Sequence, residues 1–283
     1  MPEIEKAGKT GFCFGVKRAI DILEKAARER GGVETLGAVV HNQQVMQKLE
    51  ALGVRVIRNS ADIKGDTIVT TSHGVTPELE AELRARHLRI VSTTCNNVQR
   101  AQKAAARLAE DGFFVIVFGD ANHPEVKGIL GWAKGKGTAT TDVSAVAALD
   151  PAPRKVGILS QTTEVPARFA AFVKKIIDLA LTKNAEIRII DTICHDLRAR
   201  QAAALELARR ADLMLVVGGR SSANTNRIAE LCAGATETHL IETADEIKRS
   251  WLKGKQHIGV TSGASTAEDM VEAVIERLKE ISR

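Results

Sequence analysis

Residues 66–87, DTIVTTSHGVTPELEAELRARH, hold the pattern that decides the fold. The stretch opens on TIVT, a β-branched run suited to a buried strand. It passes through the small polar loop SHG and closes on a helical segment. There Thr76 reads as the N-cap, Pro77 takes the first helical position, and Leu79 and Leu83 fall four apart on one face. Working outward, the same succession of strand, polar loop and helix returns. FFVIVFGDANHPEV starts at Phe113, and LMLVVGGRSSANTN starts at Leu213 and runs into RIAELCAG. HIGVTSGAS starts at His257 and leads into a last helix with an apolar stripe of Val271, Val274, Ile275 and Leu278. Ser265 reads as the cap of that helix, with Glu268 completing a capping box. Strands alternating with helices predict an α/β fold with parallel sheets. Continuous Val/Ile/Leu runs fit strands buried on both faces. In such folds ligands sit outside the carboxyl ends of the strands, so the loops after the strands are where chemistry is expected.

Composition narrows the class. The chain has 283 residues, 44% hydrophobic and 27% charged, which are globular values that exclude wholesale disorder. No apolar run approaches the ~20 residues that span a bilayer, and the first residues lack the apolar core of a signal peptide, so a cytoplasmic protein without membrane contact is expected. The net charge of +5 is spread along the chain, and aromatics make up 3% with no Tyr. That argues against a nucleic-acid groove and suits a small anionic ligand.

The strand-end loops repeat a few residue types. Cys13, Cys95 and Cys194 each lie at an expected strand-to-helix junction, where a helix N-terminus favours thiolate. They are too far apart in the chain for a short CxxC motif. They read as one cysteine from each of three similar units; three buried thiols in small-residue loops is the plainer alternative. Three thiolates can hold zinc together with a further ligand such as His195, or an iron–sulfur cluster with one position open. His195 otherwise reads as a solvent-facing loop residue. Cys232 differs, because it falls on the apolar face of RIAELCAG and reads as core.

His41, His73 and His123 also follow strands, among Ser, Asn and Gly, whereas His87, His239 and His257 read as structural or surface residues. Together with Ser222, Asn224 and Ser265 the three strand-end histidines make a set of donors suited to a phosphate or diphosphate. Each hydroxyl or amide alone reads as a helix cap or a turn. Glu125, in HPEV, is a carboxyl that shielding from water would keep protonated near neutrality, and Thr162, in QTTEV, is placed to orient or relay that proton.

The segments GFCFGV, VVHN, SHG, HPEV, QTT, DTIC, SSANTNR and GVTSGAS, in this order, resemble those of 4-hydroxy-3-methylbut-2-enyl diphosphate reductases, the last enzymes of the non-mevalonate isoprenoid pathway. The resemblance runs from Gly11 to Ser265. It implies a trefoil-like arrangement of three α/β units with parallel sheets around a central iron–sulfur cluster. The units are expected at 14–95, 96–190 and 191–283, joined by the N-terminal segment 1–13. It further implies a [4Fe–4S] cluster on Cys13, Cys95 and Cys194 with one iron not ligated by protein. Diphosphate binding falls to His41, His73, Ser222, Asn224 and Ser265, with His123 close to the substrate. Glu125 is implied as the proton donor and Thr162 as its hydroxyl partner. Three positions depart from the family pattern: Asn96 stands where Pro usually follows the second cysteine, Leu197 where Thr is common, and Ala223 where a second Ser is usual.

The expected function is therefore reductive dehydroxylation of 4-hydroxy-3-methylbut-2-enyl diphosphate to isopentenyl and dimethylallyl diphosphates. No GxGxxG opens a helix after a strand, so electrons are expected from outside, from a ferredoxin or flavodoxin. The competing readings are a divergent member acting on another small allylic diphosphate, a zinc hydrolase built on three Cys and His195, and an iron–sulfur sensor. The presence of HPEV and QTT weighs against a sensor, which has no use for a proton donor.

Overall fold

The β-branched runs become strands of three four-stranded sheets, and every pairing within them is parallel. The structure is a computed structural model that describes residues 2–282. The chain opens on β1 (Glu3–Lys6) and α1 (Phe14–Arg30). Sheet I holds β2 (Val33–Leu36), β3 (Val54–Ile57), β4 (Thr67–Thr70) and β5 (Arg89–Ser92), with α2 (Gln43–Ala51) and α3 (Pro77–Ala85) between strands and α4 (Asn96–Glu110) after them. Sheet II holds β6 (Phe114–Phe118), β7 (Gly137–Ala139), β8 (Lys155–Ser160) and β9 (Glu186–Ile190), with α5 (Pro124–Trp132), α6 (Val143–Ala147) and α7 (Pro166–Thr182) between them. After α8 (His195–Ala208) come β10 (Leu213–Val217), α9 (Ala223–Ala233), β11 (Glu237–Ile241), β12 (His257–Ser262) and α10 (Glu268–Ile281). Strands β10, β11 and β12 form sheet III, and β1 completes it.

The strand orders are β3-β2-β4-β5, β7-β6-β8-β9 and β11-β10-β12-β1. The same order recurs three times, with the N-terminal strand filling the fourth place of the last sheet. Glu3 pairs there with His257, and Lys6 with Val260. In these orders every candidate site residue follows a strand in the second, third or fourth place of its sheet. The strands β3, β7 and β11 are followed by none of them.

The chain divides into two compact parts. A terminal part comprises Met1–Ile20, Val40–Leu52 and His195–Arg283 and carries sheet III; a central part comprises Asp21–Val39 and Gly53–Cys194 and carries sheets I and II.

In the terminal part, LMLVV of β10 alternates between two apolar layers, as a strand with side chains on both faces must. Leu213, Leu215 and Val217 pack with Ile258 and Val260 and with the α10 stripe of Val271, Val274, Ile275 and Leu278. Met214 and Val216 face Leu207, Ile228 and Cys232. Each fully buried aliphatic side chain contributes roughly 1.5–3 kcal/mol, so a charge at Leu215 would break both the layer and the sheet.

In the central part, Val115, Val117 and Leu159 pack under α4 and α5, while Ile116, Phe118 and Ile158 pack under Phe169, Phe172 and Ile176 of α7. Helix α4 thus follows the last strand of sheet I and covers sheet II. Sheet I has a smaller core in which Leu79 and Leu83 of α3 both join Ile57 and Ile68. Thr76 caps α3 as its sequence predicts, accepting from Leu79 N–H at 3.3 Å.

One expected cap is absent. Helix α10 starts at Glu268 behind Ala267, and Ser265 does not cap it. The Glu268 carboxylate is instead engaged by Lys6 Nζ at 2.7 Å and Thr10 Oγ1 at 3.0 Å. Two competing donors draw the acid away from the capping box that the local pattern suggests.

Candidate active site

In the central part, β6 delivers Glu125 and His123. His123 caps α5, and its Nδ1 accepts the Glu125 N–H at 3.2 Å. A neutral ring therefore carries its proton on Nε2. The rings of His73 and His123 meet edge to face with centroids 5.2 Å apart. Glu125 follows Pro124 in the first turn of α5, and its side chain is buried, with 2% exposed.

A helix N-terminus favours carboxylate, yet burial wins here and pushes the Glu125 carboxyl up to about 7. Two bonds from Thr162 oppose that rise: its N–H donates to Oε1 at 2.7 Å and its hydroxyl to Oε2 at 2.9 Å. The nearby charge of Glu164 adds to it. The outcome is a carboxylic acid that holds its proton close to neutral pH and has one hydroxyl to pass it through.

Thr162 also ties the acid to a thiol, because its carbonyl accepts the Cys194 N–H at 3.0 Å. The Cys194 Sγ in turn accepts from Asn97 Nδ2 at 3.2 Å. Cys95 is the N-cap residue of α4, and its N–H donates to the Ser72 carbonyl at 3.1 Å, beside His73. Thus His73, His123, Glu125, Thr162, Cys95 and Cys194 occupy linked strand-end loops of one part. Asn96 fills the first turn of α4, where a backbone N–H has no partner inside the helix. Its replacement of the usual Pro therefore leaves the helix ladder intact.

In the terminal part, the Cys13 N–H donates to the Ala264 carbonyl at 3.0 Å, and its Sγ accepts from Val16 N–H at 3.3 Å. The thiol thus sits at the start of α1 and against the loop that carries Ser265. His41 belongs to the same part, and burial holds its ring below the ordinary histidine range, so it is neutral at pH 7. Gly219 packs against this histidine: a Cβ there would lie 2.2 Å from the His41 carbonyl oxygen. Only glycine allows the β10–α9 loop to come so close.

Ser222, Asn224 and Ser265 are all buried, but they are used differently. Ser222 caps α9, accepting from Thr225 N–H at 3.4 Å. Both amide atoms of Asn224, and Ser265 Oγ, are buried and make no hydrogen bond among the described residues. Buried polar groups rarely go unmatched. Two such side chains at the carboxyl end of one sheet are what a bound polar ligand would satisfy.

The remaining candidates resolve plainly. Cys232 is fully buried, and burial pushes its thiol up to about 12, which makes it core. His195 is exposed at the first position of α8. His239 stacks on Trp251, His87 lies on the surface after α3, and His257 sits in β12. None of the four cysteines forms a disulfide. Two residues of the central part escaped the sequence reading. Glu164 is 1% exposed although its side chain is acidic, and its only mark is its adjacency to QTT. Asn97 looks like any residue of a helix start. The thiol donors fit an iron–sulfur group: three cysteines outside any disulfide stand at helix N-termini, two of them accepting N–H bonds at sulfur.

Parallel α/β sheets whose carboxyl-end loops offer thiols, a proton-holding acid and unsatisfied buried donors define the ligand-binding class of α/β proteins. The LytB protein family profile matches residues 4–279, and the chain belongs to that family. It is 57% identical over 280 residues to a 4-hydroxy-3-methylbut-2-enyl diphosphate reductase of Dehalococcoides mccartyi strain CBDB1, covering 99% of both chains. It is 44% identical to the reductase of that name from Geobacter metallireducens, covering 99% of this chain and 98% of that one. A solved structure of (E)-4-hydroxy-3-methyl-but-2-enyl diphosphate reductase, described as the terminal enzyme of the non-mevalonate pathway, matches with TM-score 0.71 and 36% identity over 99% of this chain and 100% of that one. The Plasmodium falciparum reductase structure matches with TM-score 0.91 and 26% identity over 98% of this chain and 88% of that one.

Proposed function

We propose that the chain reduces 4-hydroxy-3-methylbut-2-enyl diphosphate to isopentenyl and dimethylallyl diphosphates. The observation that carries this reading is the buried Glu125, protonated up to about 7 and bonded to the same Thr162 that holds Cys194. An acid so placed suits protonation of a leaving hydroxyl beside a thiol-bound redox group. The names of the relatives agree with it.

Two electrons and two protons enter, the allylic C–O bond breaks, and water leaves. Cys13, Cys95 and Cys194 would hold a [4Fe–4S] cluster with one iron not ligated by protein, which when bound supplies single electrons and a Lewis-acid position. Glu125 delivers the proton to the departing hydroxyl. When Glu125 is protonated its Oε2–H donates to Thr162 Oγ1, so the bond between them reverses direction and the threonine hydroxyl is released to reach the substrate. Asn224 and Ser265 satisfy diphosphate oxygens with donors the fold leaves unmatched, and Ser222 and neutral His41 add to them. His73, and His123 through Nε2–H, donate from the central part. Fixing the diphosphate end orients the alcohol for proton transfer. The electrons come from a ferredoxin or flavodoxin. Reduced thiols suit a cytoplasmic setting, and no helix of the described residues is long and apolar enough to cross a membrane. The division at 14–95, 96–190 and 191–283 accords with three sheets of one strand order, each ending beside one cysteine.

Anaerobic purification tests this reading. Iron and sulfide should each be near four per chain, and the substrate should be reduced with a chemically reduced viologen as donor. A zinc-loaded chain without iron would instead support the three-Cys hydrolase.

A further inference from the structure

We propose that Asn97 sets the reduction potential of the group held by Cys194; this rests on the iron–sulfur reading above. The Asn97 side chain leaves the first turn of α4 and donates from Nδ2 to Cys194 Sγ at 3.2 Å. A second α4 side chain steadies the same segment, since Arg100 Nη2 reaches the Ile193 carbonyl at 3.5 Å. Residues 97 and 100 lie one turn apart on one helix face, so together they bracket the peptide that carries the thiol. The Cys194 N–H is itself tied to the Thr162 carbonyl at 3.0 Å. The thiol is therefore held on both sides, and the amide has a fixed target.

Cys13 also accepts an N–H at sulfur, but from the backbone of Val16 at 3.3 Å. A backbone donor is present whatever the side chain. The Asn97 amide exists only because this chain has asparagine there, which makes it an adjustable part of the site. Its chemistry is simple. Each electron added to an iron–sulfur group places negative charge partly on the ligating sulfurs. An N–H dipole aimed at such a sulfur stabilises the reduced state more than the oxidised one, which raises the potential. Only the amide nitrogen can face the sulfur, because the carbonyl oxygen would meet it as a second acceptor. Asn97 acts through the Cys194 sulfur, so it is a positioning and tuning residue.

The test compares holoprotein potentials measured anaerobically with redox mediators, followed by visible absorbance and electron paramagnetic resonance. Asn97→Leu removes the donor at similar size, Asn97→Asp replaces it with an acceptor, and Asn97→Gln keeps an N–H. The leucine variant should have a more negative midpoint potential than wild type, and the aspartate variant the most negative. The glutamine variant should lie between wild type and leucine. Iron and sulfide per chain should be unchanged in all three. Unchanged or more positive potentials in the leucine and aspartate variants would overturn the proposal. So would failure of both to load iron while circular dichroism shows a folded chain, because Asn97 would then serve assembly. Wild-type protein that holds no iron would sink the underlying reading instead.

Discussion

Replacing Glu125 with Gln separates its chemistry from its packing. In the folded chain the carboxyl keeps its proton up to about 7, against 4.5 for an ordinary glutamate, because it is buried. Between those values the native state binds a proton that the unfolded chain has released. Stability contributed by this group is therefore fully present below 4.5 and falls as pH rises toward about 7. At about 1.4 kcal/mol per pH unit, the loss across that window is about 3 kcal/mol. The Glu125→Gln variant has no such proton to lose. Its amide can accept the Thr162 N–H and donate to the Thr162 hydroxyl, so the bonds at 2.7 and 2.9 Å have counterparts. Urea unfolding of both proteins at several pH values from 5 to 8 reads the difference. Relative to wild type, the variant should gain about 3 kcal/mol over the full window, and most of that gain lies between pH 5 and 8. Turnover with reduced viologen should fall by roughly 10²–10⁴-fold, the usual worth of a general acid, with little change in KM. Iron content should hold. Parallel pH profiles of stability would refute the buried, proton-holding acid, and near-normal turnover would remove it from catalysis.

Cys13→Ser, Cys95→Ser and Cys194→Ser should each lose iron and sulfide on elemental assay, whereas Cys232→Ser should keep both and lose about 1–2 kcal/mol of stability from a hydroxyl in an apolar site. Asn224→Ala and Ser265→Ala remove polar atoms that have no hydrogen bond among the described residues, so thermal stability should stay level or rise while KM for the substrate increases. A fall in stability with KM unchanged would assign both residues to the scaffold. Gly219→Ala drives a methyl toward the His41 carbonyl at 2.2 Å and should raise KM by displacing that loop, with iron content intact.

Much of the fold is written locally. FFVIVF and LMLVV form strands because their alternating faces both meet apolar layers, while Ile68 of TIVT and Ile258 and Val260 of HIGVTS each join one such layer. Thr76 and Pro77 mark a helix start by geometry that involves only neighbours. The candidate thiols and Glu125 could be found because strand-end loops are few and polar. Long-range facts are less legible. Nothing near Ser265 says that Glu268 will be taken by Lys6 and Thr10, more than two hundred and fifty residues earlier. Asn97 acquires its meaning from Cys194, which the chain reaches only after all of sheet II. The burial of Glu164 likewise depends on packing that its sequence neighbours do not encode.

The fourth place of sheet III is filled by β1, which the ribosome releases before every other described strand, while its partner β12 follows them all. At the ordinary rate of roughly 5–20 residues per second, about 10–50 s pass between them. Sheets I and II can close during that interval with their own strands. The loop bearing Cys13 cannot, because its anchor is the Ala264 carbonyl just beyond β12. Of the three thiols, the first made is thus the last to find its seat, and a group held by all three would be installed only after β12 has been made.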